Sequence, residues 1–138
     1  SYVVVRLTND LSIAVTTQTY IAFNDIIHDN LGEWSGSTFT AKNAGVYLVN
    51  LAIRWWNTES NRAFYSYILG GGFTRFLKYA SNVNASQYPI FASDAIVLDA
   101  GDVIRAKVYH NASEAKIILG GNGEQLVTWM SIVKILDL

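Results

Sequence analysis

The chain has 138 residues, of which 51% are hydrophobic, 13% aromatic and 15% charged, with a formal net charge of -1 and no cysteine. This composition excludes a disordered tail and a nucleic-acid-binding arm, because both have few aromatic residues and a high net charge. It also excludes a disulfide framework, a thiolate nucleophile and a Cys-type zinc site, and no apolar stretch approaches the roughly 20 residues of a membrane helix.

Apolar and polar residues alternate with a period of two along most of the chain, which is typical of β-strands. The clearest run is segment 46–56, where every odd position from Tyr47 to Trp55 is large and apolar. Turn-forming segments rich in Gly, Asn and Asp separate such runs, and no helix longer than a turn is predicted. The predicted strands cover residues 2–7, 12–15, 19–23, 46–56, 64–69, 73–79, 88–98, 103–110, 116–119 and 126–136.

These short strands predict an all-β, two-sheet antiparallel sandwich, for which a jelly roll and an immunoglobulin-like arrangement are the candidates. The immunoglobulin-like arrangement is the weaker candidate because its Cys…Trp…Cys framework is missing. The chain is also apolar for a lone domain of its size, so we expect part of its apolar surface to lie in a subunit interface.

Two motifs resemble a known family. Phe23 and Asn24, followed by Trp34 and segment 39–47 (FTAKNAGVY), resemble the F-N and F-x-A-x-x-x-G-x-Y signature of the globular heads of the complement q-subcomponent and their tumour-necrosis-factor-like relatives. Segment 96–104 (IVLDAGDVI) is similar to the L-x-x-G-D-x-V element of that family. The closing strand departs from the family pattern, because Ser131 stands where glycine is usual.

The resemblance covers roughly residues 19–136, and it implies that residues 1–138 form a single head domain of this type. Its implied architecture is a ten-stranded jelly roll that assembles as a homotrimer, with one sheet of each subunit packed around the threefold axis. The cysteine-free sequence resembles bacterial or viral versions of the head more than vertebrate ones.

Strand alternation then selects the side chains of the implied trimer contact. In the last strand, Trp129, Ser131, Val133 and Ile135 are expected to point into the core, and the intervening residues towards the neighbouring subunit. The candidate interface residues are Leu48, Asn50, Ala52, Arg54, Arg105, Lys107, Tyr109, Met130, Ile132, Lys134 and Leu136.

Four of these candidates are cations, namely Arg54, Arg105, Lys107 and Lys134. Cations that leave water for an interface cost several kcal/mol each unless they are paired. We therefore expect acids such as Asp94 or Glu114, bound anions or a water-filled axial channel to meet them; alternatively, their charged heads reach solvent at the strand ends.

Glycine and aspartate at two turns have a predicted structural role. Gly45 and Gly101 each precede a long apolar strand, where a tight turn often needs a backbone conformation that glycine adopts without a clash. Asp102 is placed to accept hydrogen bonds from turn amides.

No constellation of residues predicts catalysis, so an enzyme is not expected. The nucleophile pattern Gly-x-Ser-x-Gly is absent, and the glycine-rich segment 120–123 lacks the lysine of a phosphate loop. Asp25, His28 and Asp29 could be read as a metal site, but a polar loop explains them, and we expect neither a metal nor a cofactor. His110, at a strand end, is expected at the surface or in an interface.

Binding is the class of function that the loops favour. The segment after Trp55 combines an aromatic ring with amide, carboxylate and guanidinium groups, which suit sugars or polar protein surfaces, and segment 80–88 is a second, amide-rich loop. Alternatively, Trp56 packs at the trimer contact and the rest is a solvated loop. The candidate ligand-binding residues are Trp56, Asn57, Glu59, Asn61, Arg62, Asn82, Asn84 and Tyr88.

Together these features predict a trimeric, non-enzymatic recognition head at the tip of a fibre or stalk, outside a cell, spore or virion. Its partners would be its own copies and a surface glycan or protein receptor, without nucleic-acid binding or membrane insertion. An N-terminus that begins inside a strand fits excision from a longer parent. The alternatives are a structural trimerisation or capping domain without a ligand, and a tumour-necrosis-factor-type cytokine, which the missing anchor and cysteines weaken.

Overall fold

A computed structural model describes residues 1–70, 73–80 and 84–138, and these residues form strands and no helix. The thirteen strands are β1 (Tyr2–Arg6), β2 (Leu11–Ile13), β3 (Thr19–Tyr20), β4 (Asp25–Asp29), β5 (Trp34–Ser35), β6 (Thr38–Thr40), β7 (Gly45–Trp56), β8 (Phe64–Gly70), β9 (Phe73–Ala80), β10 (Gln87–Leu98), β11 (Val103–His110), β12 (Lys116–Ile118) and β13 (Trp129–Asp137).

Every predicted run overlaps one of these strands, whereas β4, β5 and β6 lie outside the predicted runs. β4 carries two aspartates and a histidine, so its sequence resembles a polar loop. β5 and β6 have two and three residues, which is too short for a periodic pattern to show.

The strands form two antiparallel sheets, which confirms the predicted jelly-roll sandwich. Sheet I has seven strands in the order β2-β12-β7-β13-β1-β4, with β10 paired to β7 as well. Sheet II has six strands in the order β5-β6-β11-β8-β9, with β3 paired to β11. The central position of β7 follows from its length of twelve residues, all of which pair with β10.

The core lies between the sheets and is lined as predicted by the odd-numbered side chains of β7, from Tyr47 to Trp55. Phe39 of sheet II meets Tyr47 edge to face at 5.6 Å, and Phe64 meets Trp55 at 5.2 Å. Because fully burying one large apolar side chain contributes roughly 2 kcal/mol, this row accounts for much of the stability of the sandwich.

The predicted orientation of the last strand is wrong. Met130 pairs with Leu51 and Ile132 pairs with Val49, so both side chains point into the core, where they are fully buried. Paired residues of neighbouring strands share one face of a sheet, and Trp129, Ser131 and Val133 consequently face outwards. Both faces of this strand are largely apolar, so alternation alone could not select the inward one.

The two family-like motifs contact each other in the folded chain. The Gly101 N–H donates to Ala41 O at 2.7 Å, and the Ala41 N–H donates to Asp102 O at 2.8 Å. The predicted role of Asp102 is confirmed, since its Oδ2 accepts the Asp99 N–H at 2.9 Å. Gly101 has φ +95°, a conformation that side chains disfavour, which confirms the prediction for this glycine.

Gly45 is required for a different reason than predicted. Its backbone is not in the left-handed region, but an added Cβ would lie 2.6 Å from Leu136 O and 2.6 Å from Lys134 Cδ. The register of β13 against β7 shifts between Lys134 and Leu136, and this irregularity brings the β13 backbone close to Gly45.

Replacing Gly45 should therefore destabilise the protein by steric overlap. We expect Gly45→Ala to lower the free energy of unfolding by about 2 kcal/mol or more, because the β13 backbone must move. The control is Gly36→Ala, at φ +61° with no atom within 4 Å, which should cost only about 1 kcal/mol of backbone strain. Urea unfolding measures both, and equal losses would contradict the close-approach explanation.

Candidate functional site

The two ends of the sandwich carry different parts of the chain. The Lys134 N–H donates to Ser1 O at 3.0 Å, and Gly45 pairs with Asp137, so both described ends of the chain lie at the start of β7. At the usual rise per residue β7 is about 36 Å long, and Trp56 lies at its far end.

Three loop segments meet at this far end and are hereafter the distal rim, comprising residues 56–62, 84–88 and 111–117. The Asn57 N–H donates to Ser86 O and the Thr58 N–H to Ala85 O, both at 3.0 Å. The third segment joins through the Asn111 N–H, which donates to Ala63 O at 3.1 Å. The structure thus brings together the two loops that the sequence analysis selected separately.

Glu59 acts as the centre of an internal network. Its carboxylate accepts the Ser113 hydroxyl at 2.8 Å and the Ser113 N–H at 3.1 Å, and Lys116 Nζ lies 3.1 Å away. The Ser113 hydroxyl, followed by Lys116, holds the pKa of Glu59 below its usual range. These bonds use much of the hydrogen-bonding capacity that the sequence analysis assigned to a ligand.

Other candidate ligand-binding residues also serve the loop structure. Arg62 Nη1 donates to Asn111 O at 3.3 Å, and the side chain of Tyr88 packs against the core. Asn61 adopts φ +60°, within the left-handed region that asparagine tolerates. Asn84 is exposed on the rim.

Asn57 likewise has a left-handed backbone, with φ +56°, and is exposed. Asn82, the remaining candidate, lies outside the described residues.

Trp56 is the most accessible aromatic ring of the distal rim, with 38% of its surface exposed. It borders two shallow hollows of about 270 Å³ each. Asp10 and Leu119 line one hollow, and Asn57 and Glu114 line the other. An aromatic face flanked by carboxylate and amide groups is chemically suited to a sugar ring, whose C–H groups stack while its hydroxyls form hydrogen bonds.

Asp10 is a neighbour of Trp56 that was not predicted from the sequence. Asp10 precedes β2, and the chain of strand pairings from β2 through β12 to β7 brings it there. No local signal could have identified it, since the contact depends on sheet order.

His110 is fully buried, so the expected surface or interface position is wrong. Its ring stacks on Phe64 at 5.8 Å and meets Trp55 edge-on. Nδ1 accepts the Ala112 N–H at 3.2 Å, while Nε2 lies 2.7 Å from Ile13 O and donates to that carbonyl. These two bonds select one neutral tautomer, and they anchor the third rim segment to the core.

Asp25 and Asp29 are used within the fold. Asp25 forms an ion pair with Arg6 at 2.7 Å. Burial acts to raise the pKa of Asp29, but hydrogen bonds from the backbone of Glu33 and Trp34, both 2.9 Å, outweigh it and leave this pKa below its usual range. Within residues 1–70, 73–80 and 84–138 no cluster of three potential metal ligands is present.

The outward face of sheet I carries part of the candidate interface, namely Leu48, Asn50, Ala52 and Arg54. Ala52 lies between Phe91 of β10 and Trp129 of β13 in one cross-strand row, and the two large rings cover it. The face is apolar at its margins as well, where Phe91 is 60% exposed and Val97 61%.

Leu136 also lies on this face, since it pairs with Val46 and is 58% exposed. Most of the other interface candidates do not. Arg105, Lys107 and Tyr109 lie on β11, on the outward face of sheet II across the sandwich. Met130 and Ile132 lie in the core. The four predicted cations consequently do not line one surface, because they belong to different sheets.

Within the subunit, three of these cations contact groups other than Asp94 and Glu114. Lys134 forms an ion pair with Asp137, Arg105 donates to Thr38, and Lys107 donates to Gln18. Glu114 instead lies 3.7 Å from Lys116.

No protein-family model and no curated protein sequence matches the chain. Solved structures do match it, including the globular domain of zebrafish complement 1qA protein, with 12% identity and a TM-score of 0.71 over 99% of this chain and 98% of that one. Murine APRIL matches with 19% identity and a TM-score of 0.67 over 98% of each chain.

Eiger TNF from S. frugiperda matches with 14% identity and a TM-score of 0.65, over 99% of this chain and 93% of that one. At such identities the likeness shows the fold, which is the jelly roll of complement 1q and TNF proteins and confirms the resemblance found in the sequence. Among the described residues, no helix has the length and apolar character needed to cross a bilayer.

The Glu59 network should make the distal rim sensitive to acid. Because the folded-state pKa of Glu59 is lowered, its ionised form stabilises the fold above its unfolded-state pKa, and this contribution disappears as the pH falls through the folded-state pKa. We expect Glu59→Gln to lower the free energy of unfolding by about 2 kcal/mol at pH 7, with the difference shrinking towards pH 3.

The matched control is Glu114→Gln, which removes the more exposed carboxylate facing the same lysine. It should change the free energy of unfolding by less than about 0.5 kcal/mol. Urea unfolding across this pH range measures both variants, and a pH-independent Glu59→Gln effect would contradict the assignment.

Proposed function

We propose that the chain is a homotrimeric, non-enzymatic recognition head, displayed outside a cell, spore or virion at the tip of a fibre or stalk. Its partners are its own copies and a surface glycan or protein receptor. The observation that carries the proposal is the outward face of sheet I, which exposes large apolar side chains on an otherwise well-packed sandwich. Exposed apolar surface of this kind typically marks a protein interface.

The two edges of this face differ: one carries exposed apolar side chains, and the other carries a hollow. At the β10 edge, Phe91 and Val97 project as an exposed apolar ridge. At the opposite edge, Tyr2, His28 and Leu126 border a hollow of about 490 Å³. A ridge that fits a hollow elsewhere on the same molecule produces a head-to-tail contact, which closes into a ring when the rotation permits. The resemblance to the complement and TNF heads supports a ring of three.

Ligand recognition is assigned to the distal rim, with the exposed Trp56 ring as its centre. The rim lies at the opposite end of the sandwich from the described chain ends, so a stalk attached there would not obstruct it. Three identical rims on one trimer raise the apparent affinity for a densely displayed receptor, even where each single contact is weak. Such a head suits host attachment or cell-surface binding.

The second candidate function is a structural trimerisation or capping domain without a ligand. The observation in its favour is that Glu59, Arg62 and Asn111 already form hydrogen bonds within the rim. In that case Trp56 would only shield the end of β7.

The trimer should depend on the β10 ridge. Phe91→Lys combined with Val97→Asp should convert the trimer to monomers at micromolar concentration, because burying these charges at an apolar contact is unfavourable. Sedimentation velocity measures the change. The control is Val103→Asp, which places a charge at an exposed apolar position of sheet II and should leave the trimer intact. A wild-type protein that sediments as a monomer would overturn the proposal.

Glycan recognition should depend on the Trp56 ring. On a glycan array or on whole cells, the wild-type trimer should bind, and Trp56→Ala should lower the affinity by about tenfold or more through loss of stacking. Trp56→Phe keeps an aromatic face and should retain part of the binding. If the trimer binds neither glycans nor cells while remaining stable, the capping function is correct instead.

A further inference from the structure

The outward face of sheet II is chemically different from that of sheet I. Cross-strand pairs on β8 and β11 place Tyr65 beside Tyr109, Tyr67 beside Lys107, and Leu69 beside Arg105. β3 extends the face, since Tyr20 pairs with Lys107 from the other side. We call this surface the tyrosine face, defined by Tyr20, Tyr65, Tyr67, Leu69, Arg105, Lys107 and Tyr109.

The phenol rings form a continuous aromatic layer. Tyr65 and Tyr67 stack with ring centroids 5.9 Å apart and planes 14° from parallel, and Tyr109 lies 5.8 Å from Tyr65. Burial, with a smaller effect of Tyr65 and Tyr109, raises the pKa of Tyr67. Its hydroxyl therefore remains neutral at physiological pH. Tyr20, at the edge of the layer, is 45% exposed.

Two cations lie on this layer, and each is held by neutral groups. The Arg105 guanidinium carbon is 5.2 Å from the Tyr20 ring centroid, and its Nε donates to Thr38 Oγ1 at 3.1 Å. Lys107 Nζ is 4.8 Å from the Tyr67 ring centroid and donates to Gln18 Oε1 at 2.9 Å. Cation–π contact orients both charges without neutralising them.

The tyrosine face lacks negative charge in the part of the chain that the structure describes. The outward positions of β3, β5, β6, β8 and β11 include neither aspartate nor glutamate. The ion pairs of the described residues involve Arg6, Lys116 and Lys134, but neither Arg105 nor Lys107. Lys107 is only 8% exposed, and a cation so buried costs several kcal/mol without a counter-charge. An anionic partner would supply the missing counter-charge.

We propose that the tyrosine face binds an acidic glycan, whose pyranose rings carry carboxylate or sulfate groups. Tyrosine rings offer flat faces to the C–H groups of sugars, and the guanidinium fork of Arg105 matches a carboxylate or sulfate group. Arg105 and Lys107 are two residues apart on β11, so their backbones are about 6.6 Å apart along the strand. Lys107 is largely buried, so its charge adds to the positive potential beside Arg105 without a direct contact to the glycan.

The strand order argues against a peptide that adds to the sheet at β8 or β11, the two strands that carry most of the tyrosine face. β11 is paired on one side with β8 and on the other with β3 and β6, while β8 is paired with β11 and β9. Peptides that recognise a sheet by strand addition need an unpaired edge, which neither β8 nor β11 offers. A ligand of the tyrosine face is therefore recognised by the aromatic rings and cations of that face and not by backbone pairing. Rings and cations match the C–H groups and acidic groups of an acidic glycan.

This inference goes beyond the proposed function. The tyrosine face lies on the opposite sheet from the proposed trimer contact and does not include the Trp56 ring. It stays accessible in a trimer, which would carry three copies of it.

The experiment measures binding of the full chain to immobilised heparin, a glycan that carries both sulfate and carboxylate groups. The wild-type protein should bind at 150 mM salt, and Arg105→Gln should weaken binding by about tenfold. Tyr20→Ala should also weaken binding, while Tyr20→Phe, which keeps the ring over which Arg105 lies, should retain it. The control is Lys42→Gln, which removes an exposed cation outside both the tyrosine face and the distal rim and should change the affinity by less than about twofold.

Three results would overturn the inference. The first is a wild-type protein that does not bind heparin. The second is an equal loss in Lys42→Gln and Arg105→Gln, which would indicate unspecific attraction by positive charge. The third is competition by poly-L-glutamate as effective as competition by soluble heparin, which would indicate an acidic protein partner. Trp56→Ala and Phe91→Lys separate the two proposals, because heparin binding per subunit should survive both.

Discussion

The pairing of β7 with β10 on one side and β13 on the other is the constraint on which the rest of the structure depends. It places the odd-numbered side chains of β7 in the core and leaves Asn50, Ala52 and Arg54 on the outward face of sheet I. Because a shift of one residue would exchange the two faces of the strand, this register is strongly specified by the burial of Trp55 and Tyr47. The same pairing orients β13, so it also determines which residues of the final strand reach the surface.

The outward faces of the two sheets differ chemically because different side chains point outwards from each sheet. Sheet I exposes apolar side chains with few charges, which favours contact with another copy of the chain. Sheet II carries phenol rings and two cations held by neutral partners, of which Lys107 is largely buried, and this favours an acidic ligand. If sheet I forms the trimer contact as proposed, sheet II is left as a binding surface.

The distal rim shows how a polar loop can be structural and functional at once. Glu59, His110 and Asn111 hold its segments together through charge-assisted and buried hydrogen bonds, which are the stronger kinds in proteins. This internal network fixes the loops beside the Trp56 ring. If the rim binds a ligand as proposed, a fixed aromatic ring would lose little conformational freedom on binding.

The amino-acid sequence by itself determined the all-β class, the core face of β7 and the turn at Gly101 and Asp102, because alternation and turn chemistry are properties of neighbouring residues. Its family-like motifs also indicated the jelly roll. Only the tertiary structure decided that Met130 and Ile132 are core residues, that His110 is buried, and that Arg54 and Arg105 lie on opposite faces. The reason is physical: whether a side chain is buried or paired depends on which distant strand lies beside it, and both faces of β13 are apolar enough to fit the core. Local periodicity defines two faces of a strand, and sheet order selects which one the core receives.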